Sequence, residues 1–153
     1  MMYQIDQSGK IEDTAKNTII CIANGQWDAI IIPTIVKRRL QKVFRTNGKT
    51  RNFILFTFAA GLSILLKRKK EIGSVLIDQE YLGHERTINK LINEMNSAIT
   101  VTIRWGLIGK QAHAHDIAAK IAHKKLVAKK KVTFNEIWKE IKETEVGKRL
   151  KDT

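Results

Sequence analysis

Apolar and polar positions recur along the chain with two different periods, and the switches between them mark its elements. Met2 to Ile5 alternates weakly, delivers Asp6 and gives way to Gln7-Ser8-Gly9, which predicts a first strand with an acid at its end, followed by a turn. Lys10 to Lys16 is a polar loop. Asn17 to Ala23 is β-branched and apolar, Asn24-Gly25 turns the chain, and Trp27 to Ile32 is stopped by Pro33, so a second and a third strand are expected. Thr34 can cap a helix to about Arg45 with Ile35, Val36, Leu40, Val43 and Phe44 on its apolar side.

The apolar run from Phe53 to Leu66 spans 14 residues. That is short of the roughly 18 needed to cross a bilayer, so a buried core helix is expected. It ends in Lys67-Arg68-Lys69-Lys70, cations suited to the negative end of a helix dipole. A strand over Phe53 to Phe58 is the alternative, because aromatic and β-branched residues crowd that half. Ser74 to Tyr81 reads as a fourth strand. Glu85 to Ser97 has Ile88, Leu91, Ile92 and Met95 at helical spacing, and Ile99, Val101, Ile103 and Trp105 alternate with Thr100, Thr102 and Arg104 as in a half-buried fifth strand. A Gly-bounded loop, Gly106 to Gly109, leads to an Ala-rich helix from His113 to Ala122. Lys124 to Lys131 reads as a basic connector. Thr133 and Glu136 stand at capping-box distance at the start of a last helix carrying Phe134, Ile137, Trp138 and Ile141, and the tail from Glu143 is expected to fray.

Charge narrows the class of partner. The 153 residues include 28 Lys and Arg against 15 Asp and Glu, a formal net charge of +13. A polyanion is the expected partner, and nucleic acid is favoured over a membrane surface because no lipidation signal or amphipathic terminal anchor is visible. Between Asp28 and Glu71 there is no acid, while 11 Lys and Arg fall in that interval. Lys37, Arg38, Arg39, Lys42, Arg45, Lys49 and Arg51 are therefore the candidate phosphate contacts. Cys21 is the only cysteine. It excludes a disulfide framework and a thiolate metal site and suits a reducing cytoplasm; the N-terminus has no basic-then-apolar leader pattern, so no secretory signal is expected.

Acids recur at the edges of apolar elements. In Ser74-Val75-Leu76-Ile77-Asp78-Gln79-Glu80-Tyr81, a strand would place Asp78 and Glu80 two apart on one face, where they repel unless a cation or proton lies between them. Asp6 ends the first strand. His113 and Asp116 lie three apart on one face at the start of the Ala-rich helix. Taken singly, each has a bland explanation in a solvated loop, a packing histidine or a helix cap.

Three strands, helix, strand, helix, strand, helix, with acids at these three stations, resembles the ribonuclease H-like nuclease fold, and within it RuvC-type Holliday junction resolvases. The resemblance runs from about Met2 to His123. Asp6 in Ile5-Asp6-Gln7-Ser8-Gly9 matches the family's first-strand Asp before a Gly turn, with Gln7 in place of the usual Pro and the Gly one residue late. Asp78 or Glu80 matches the acid ending the fourth strand, and His113 and Asp116 match the metal-site pair of the last core helix. Ribonuclease H proper has another acid in its first helix, which the acid-free interval lacks.

The resemblance implies an α/β fold with a mixed five-stranded sheet flanked by helices, residues 1–131, and an added C-terminal helical extension, residues 132–153. It implies catalytic Asp6, Asp78, Glu80, His113 and Asp116, with Asp6, Asp78, Glu80 and Asp116 holding two Mg²⁺ or Mn²⁺ ions. Two hard cations about 4 Å apart activate a water and stabilise the leaving oxygen of a phosphodiester, and such ions take oxygen ligands. His113 is expected to ligate a metal or assist proton transfer. The implied substrate is branched DNA, cut by a homodimer whose apolar patch would come from the Phe53 helix or the Phe134 and Trp138 helix. Two alternatives stay open: a ribonuclease H-like nuclease acting on RNA–DNA hybrid or single strands, and a non-catalytic nucleic-acid-binding module.

Overall fold

Three isoleucine-rich strands, β1 (Met2–Ser8), β2 (Thr18–Asn24) and β3 (Gln26–Ile32), form an antiparallel meander in the computed structural model. The structure describes residues 2–69, 71–110 and 112–152; Met1, Lys70, Gln111 and Thr153 lie outside them. Strand β4 (Ser74–Asp78) adds in parallel to the free edge of β1, and β5 (Thr102–Gly106) adds in parallel to β4. A sixth strand, β6 (Lys130–Lys131), pairs in parallel with β3, giving the order β5-β4-β1-β2-β3-β6. The chain is thus α/β with a six-stranded mixed sheet flanked by helices, one strand more than the five expected. The extra strand lies in the basic connector, where two lysines carry no apolar pattern to announce a strand.

Alternation along the strands divides the core into two. Ile5, Ile20, Ile22, Ile30, Ile32, Val75 and Ile77 face one side of the sheet, where they pack with residues of α1 (Thr34–Thr46), α2 (Phe53–Arg68), α3 (Glu85–Met95) and α5 (Phe134–Lys142). Ile19, Cys21, Ala23 and Ala29 face the other side, against α4 (His113–Ala122). Each isoleucine fully removed from water contributes roughly 1.5–3 kcal/mol before chain entropy is counted. Helix α2 is the central helix. A side chain at Gly61 would put its Cβ 2.7 Å from Ile20 Cδ1 and 3.2 Å from Ile32 Cδ1, so glycine sets how closely α2 lies on β2 and β3. The segment from Phe53 to Phe58 is helical, and the whole of α2 with the 3₁₀ turn Thr50–Asn52 makes 19 continuous helical residues.

Several local expectations change. Strand β1 runs past Asp6 to Ser8, because Asp6, Gln7 and Ser8 continue the ladder to Cys21, Ile20 and Ile19. Strand β4 stops at Asp78, so Glu80 lies in the following loop and not on the strand face. Thr34 is the first residue of α1 and does not cap it; its N–H donates to Asn17 Oδ1 at 3.0 Å. The capping box is formed as expected: Glu136 N–H donates to Thr133 Oγ1 at 3.2 Å, and Thr133 N–H to Glu136 Oε1 at 3.0 Å. The tail is docked. Leu150 is buried, and Asn47 both donates to the Lys151 carbonyl at 2.8 Å and accepts from the Lys151 N–H at 2.9 Å.

The apolar surfaces of α2 and α5 are largely consumed within this core: Phe56, Phe58, Leu62, Phe134, Ile137 and Ile141 are all buried. Trp138 stays half-buried, stacked on Phe134 with ring centroids 5.8 Å apart.

Candidate active site

Parallel pairing of β1 and β4 brings two acids together. Ile5 stands opposite Ile77 in the register, and both point into the α2 side of the core. One residue further along each strand, Asp6 and Asp78 must point to the opposite face, the face that α4 covers. Asp6 has Cys21 as its cross-strand neighbour there. Glu80 joins them from the turn after β4, its N–H donating to the Asp78 carbonyl at 2.8 Å. The three acids meet at the end of the paired strands around a packing gap too small to admit water, which Ile5, Gln7, Ile77 and Phe58 also bound. Asp6, Asp78 and Glu80 are thus neighbours, Glu80 by way of a turn, whereas Asp116, expected to close the cluster from α4, does not join them.

These carboxylates sit in an unfavourable environment for charge. Burial pushes the Asp6 carboxyl above its ordinary range, with the Asp78 charge adding to the rise; the Gln7 N–H, donating at 2.8 Å, and His115 oppose it. Glu80 is also raised, first by burial, then by the charge of Asp78, with Lys10 opposing and Asp6 adding. Asp78 accepts one hydrogen bond at Oδ1 from the Ile108 N–H, at 2.8 Å, which ties the loop after β5 to the site.

Helix α4 contributes a residue that its sequence pattern did not single out. His115 Nδ1 lies 2.7 Å from Asp6 Oδ2; since an ionised carboxylate only accepts, the proton belongs on Nδ1. The stripe Ala114, Ile117, Ala118 and Ile121 faces the sheet. At about 100° per residue this leaves His113 and His115 on opposite flanks and turns Asp116 outward. His113 is half-buried, and its Nδ1 is withdrawn from solvent without a hydrogen-bond partner. Asp116 is exposed and paired with Lys120 Nζ at 2.9 Å, one turn along the same helix. The signal for His115 was its place one residue after the start of the apolar stripe.

The basic interval divides by burial. Arg38, Lys42, Arg45, Lys49 and Arg51 are exposed. Arg39 is exposed as well, yet lies over the Phe134 ring at 3.6 Å and pairs with Asp152 at 3.1 Å. Lys37 must be withdrawn as a phosphate contact, because it is fully buried. Its Nζ donates to the Lys10 carbonyl at 3.1 Å, the Asp13 carbonyl at 2.7 Å and Thr18 Oγ1 at 3.0 Å. Those three acceptors use all the donors of an ammonium, which is what makes the burial tolerable. The rest of the α1 basic face belongs to a helix packed on the α2 side of the sheet, away from the face of Asp6.

The donor chemistry of these acids fits a hard divalent cation. Asp6, Asp78 and Glu80 offer only oxygens, and their mutual repulsion with burial is relieved when a cation enters. Among the described residues no group of three His, Cys, Asp or Glu side chains is placed so that it could hold a metal ion. Comparison with protein-family models, with curated proteins and with solved structures returned no match.

Proposed function

We propose that this chain is a divalent-metal-dependent endonuclease with a ribonuclease H-like fold, nearest in kind to the RuvC-type resolvases and acting on branched DNA. The observation that carries this reading is the pair of adjacent acids, Asp6 and Asp78, set side by side by parallel strands β1 and β4 with Glu80 beside them. The strand order, with a three-strand meander extended by two parallel strands on the β1 edge, supports the fold assignment. A net charge of +13 supports a phosphate-rich substrate.

In this reading Asp6, Asp78 and Glu80 hold Mg²⁺ or Mn²⁺, which when bound would activate water and stabilise the leaving oxygen. His115 orients the Asp6 carboxylate through its Nδ1–H. The backbone N–H of Ile108 does the same for Asp78. His113 and Asp116 stand on the first turn of α4, Asp116 turned outward and held by Lys120, and neither is given a part in the site.

The test compares a four-way junction, linear duplex, RNA–DNA hybrid and single strand, each with Mg²⁺, with Mn²⁺ and with EDTA. Metal-dependent, junction-selective cleavage that disappears in Asp6→Asn and Asp78→Asn is expected. Metal-dependent cleavage of hybrid or single strands in place of junctions moves the substrate to the other nuclease reading. Binding without cleavage makes the chain a non-catalytic module, and undiminished cleavage by both variants refutes the assigned site.

A further inference from the structure

A larger cleft lies beside the acidic group and shares Gln7 and Glu80 with it. It has a volume of about 1090 Å³ and lies between the loop joining β1 to β2 and the C-terminal end of α4, with Glu80 at one end and His123 and Lys124 at the other. Lys10, Lys16 and Lys124 line it, all three are exposed, and none enters an ion pair among the described residues. Other cations of the chain are engaged: Lys67 with Glu140, Arg68 with Asp28, Lys120 with Asp116, Lys130 with Glu136. The acid in the cleft wall, Asp13, turns its carboxylate into its own loop, accepting from the Ala15 N–H at 3.1 Å.

We propose that this cleft is the track for one nucleic-acid strand, whose phosphates are neutralised by Lys10, Lys16 and Lys124 as the strand leaves the acids. The inference rests on the nuclease reading for what happens at the acids, and adds the path by which the strand reaches them. Three observations carry it. The cleft shares Glu80 with the acidic site, so a strand lying in it passes along the edge of that site. It is on the α4 side of the sheet, which the basic face of α1 is not. Its walls are held in place from beneath. The buried Lys37 ammonium fixes the carbonyls of Lys10 and Asp13, and Tyr81 Oη accepts from the Ile11 N–H at 3.2 Å. Lys10 is moreover the cation whose field favours charge on Glu80.

Lys124 adds a geometric argument. It has φ of 60°, left-handed backbone that a lysine adopts at a cost. Glycine would take that turn more easily, and use of the Lys124 cation is a reason for a lysine to stand there. No Phe, Tyr or Trp lines the cleft, and its one ring, His123, stands at the far end from Glu80, so the strand is held chiefly by its sugar–phosphate backbone.

The experiment measures binding of a fluorescent oligothymidylate to the full chain by anisotropy over a KCl series in EDTA, where no cleavage can occur. The variant Lys10→Gln/Lys16→Gln/Lys124→Gly removes the cleft cations and keeps the left-handed turn. Its log affinity against log salt should flatten by about 2, at roughly 0.7 for each single-strand phosphate that is no longer neutralised. Arg38→Gln/Lys42→Gln/Arg45→Gln should keep the wild-type slope. Lysine acetylation of the unmodified protein gives a reading that needs no variant, with bound oligonucleotide expected to shield Lys10, Lys16 and Lys124 but not Lys49. A cleft variant with the wild-type slope, or shielding confined to Lys49, overturns the track. So does failure of the wild-type chain to bind the strand. The nuclease reading is judged separately, by metal-dependent cleavage: cleavage with an unaltered cleft slope removes the track alone, and a lost slope without cleavage removes the nuclease alone.

Discussion

His115 Nδ1 stands 2.7 Å from Asp6 Oδ2, so the first-strand acid is gripped by a histidine from the helix that crosses its sheet face. The grip joins α4 to β1 through a buried carboxylate, whose remaining oxygen accepts the Gln7 N–H at 2.8 Å. Fixing a carboxylate in this way matters to a metal site because an outer partner orients the ligand and sharpens its affinity.

Replacing His115 by Ala is accordingly expected to lower metal-dependent cleavage by roughly 10–100-fold and to raise the Mn²⁺ concentration for half-activation. His113→Ala should perturb cleavage without shifting that concentration comparably, since the Asp6 bond stays intact. Equal metal curves for wild type and His115→Ala would assign the contact to packing alone.

What the sequence disclosed and what it hid follow from range. Period-2 and period-3.6 patterns are local, so β2, β3, α4 and the Thr133–Glu136 capping box were legible within a window of a few residues. The meeting of Asp6 with Asp78 was legible only through the resemblance, since nothing local pairs residues so far apart in the chain. Lys37 shows the opposite failure. Its charge placed it with Arg38 and Lys42, while its position beside Val36 and Leu40 on the buried side of α1 settled its fate. Strand β6 escaped because its pairing comes from the β3 edge and not from its own two lysines.

Lys37 gives a pH signature with a definite sign. Burial lowers its pKa from the ordinary 10.5 to about 8, against the fields of Asp13 and Glu12. Between those pH values the unfolded chain keeps a proton that the folded chain has released, so stability rises with pH by up to about 1.4 kcal/mol per unit. Below pH 8 the cost of the buried charge is fully present. Cys21 and Tyr81, both pushed up to about 12 by burial, pull the other way in alkali, but they are common to wild type and Lys37→Met and cancel in the difference. Urea midpoints across the neutral-to-alkaline range should show the wild type gaining on Lys37→Met; a difference that does not move with pH contradicts the buried ammonium.

Two ion pairs of similar length should differ in worth. Glu140 is buried, accepting from Lys67 at 2.7 and 2.9 Å and from Ser63 at 2.5 Å. Asp152 meets Arg39 at 3.1 Å with both side chains substantially exposed, 53% for Arg39 and 32% for Asp152. Lys67→Met strands a buried carboxylate and should cost about 1–3 kcal/mol, below the full cost of breaking a wholly buried pair because Lys67 itself is 41% exposed. Asp152→Asn should cost no more than about 1 kcal/mol. Denaturant titrations of the two variants check the order, and equal losses would contradict it.

The acid cluster itself should trade stability for metal binding. Asp6 and Glu80 are both raised in the folded state, chiefly by burial and by the charge of Asp78, so folded protein holds their protons more tightly than unfolded chain does. Stability from this source is present below the unfolded values and is lost as pH rises through the folded ones, leaving the cluster a burden at neutral pH. Asp6→Asn removes one charge at nearly constant volume and keeps an acceptor for the Gln7 N–H. In EDTA at neutral pH it should therefore melt a few degrees above the wild type, which corresponds to about 1 kcal/mol. Divalent ion reverses the order. A cation that binds only the folded state stabilises by about 2.7 kcal/mol at roughly a hundred times its Kd, so Mn²⁺ should raise the wild-type Tm and leave Asp6→Asn close to its EDTA value. Thermal melts of both proteins, with and without Mn²⁺, separate this from a merely structural acid pair. If Asp6→Asn melts lower in EDTA and Mn²⁺ lifts both proteins alike, Asp6 serves the fold and not a metal.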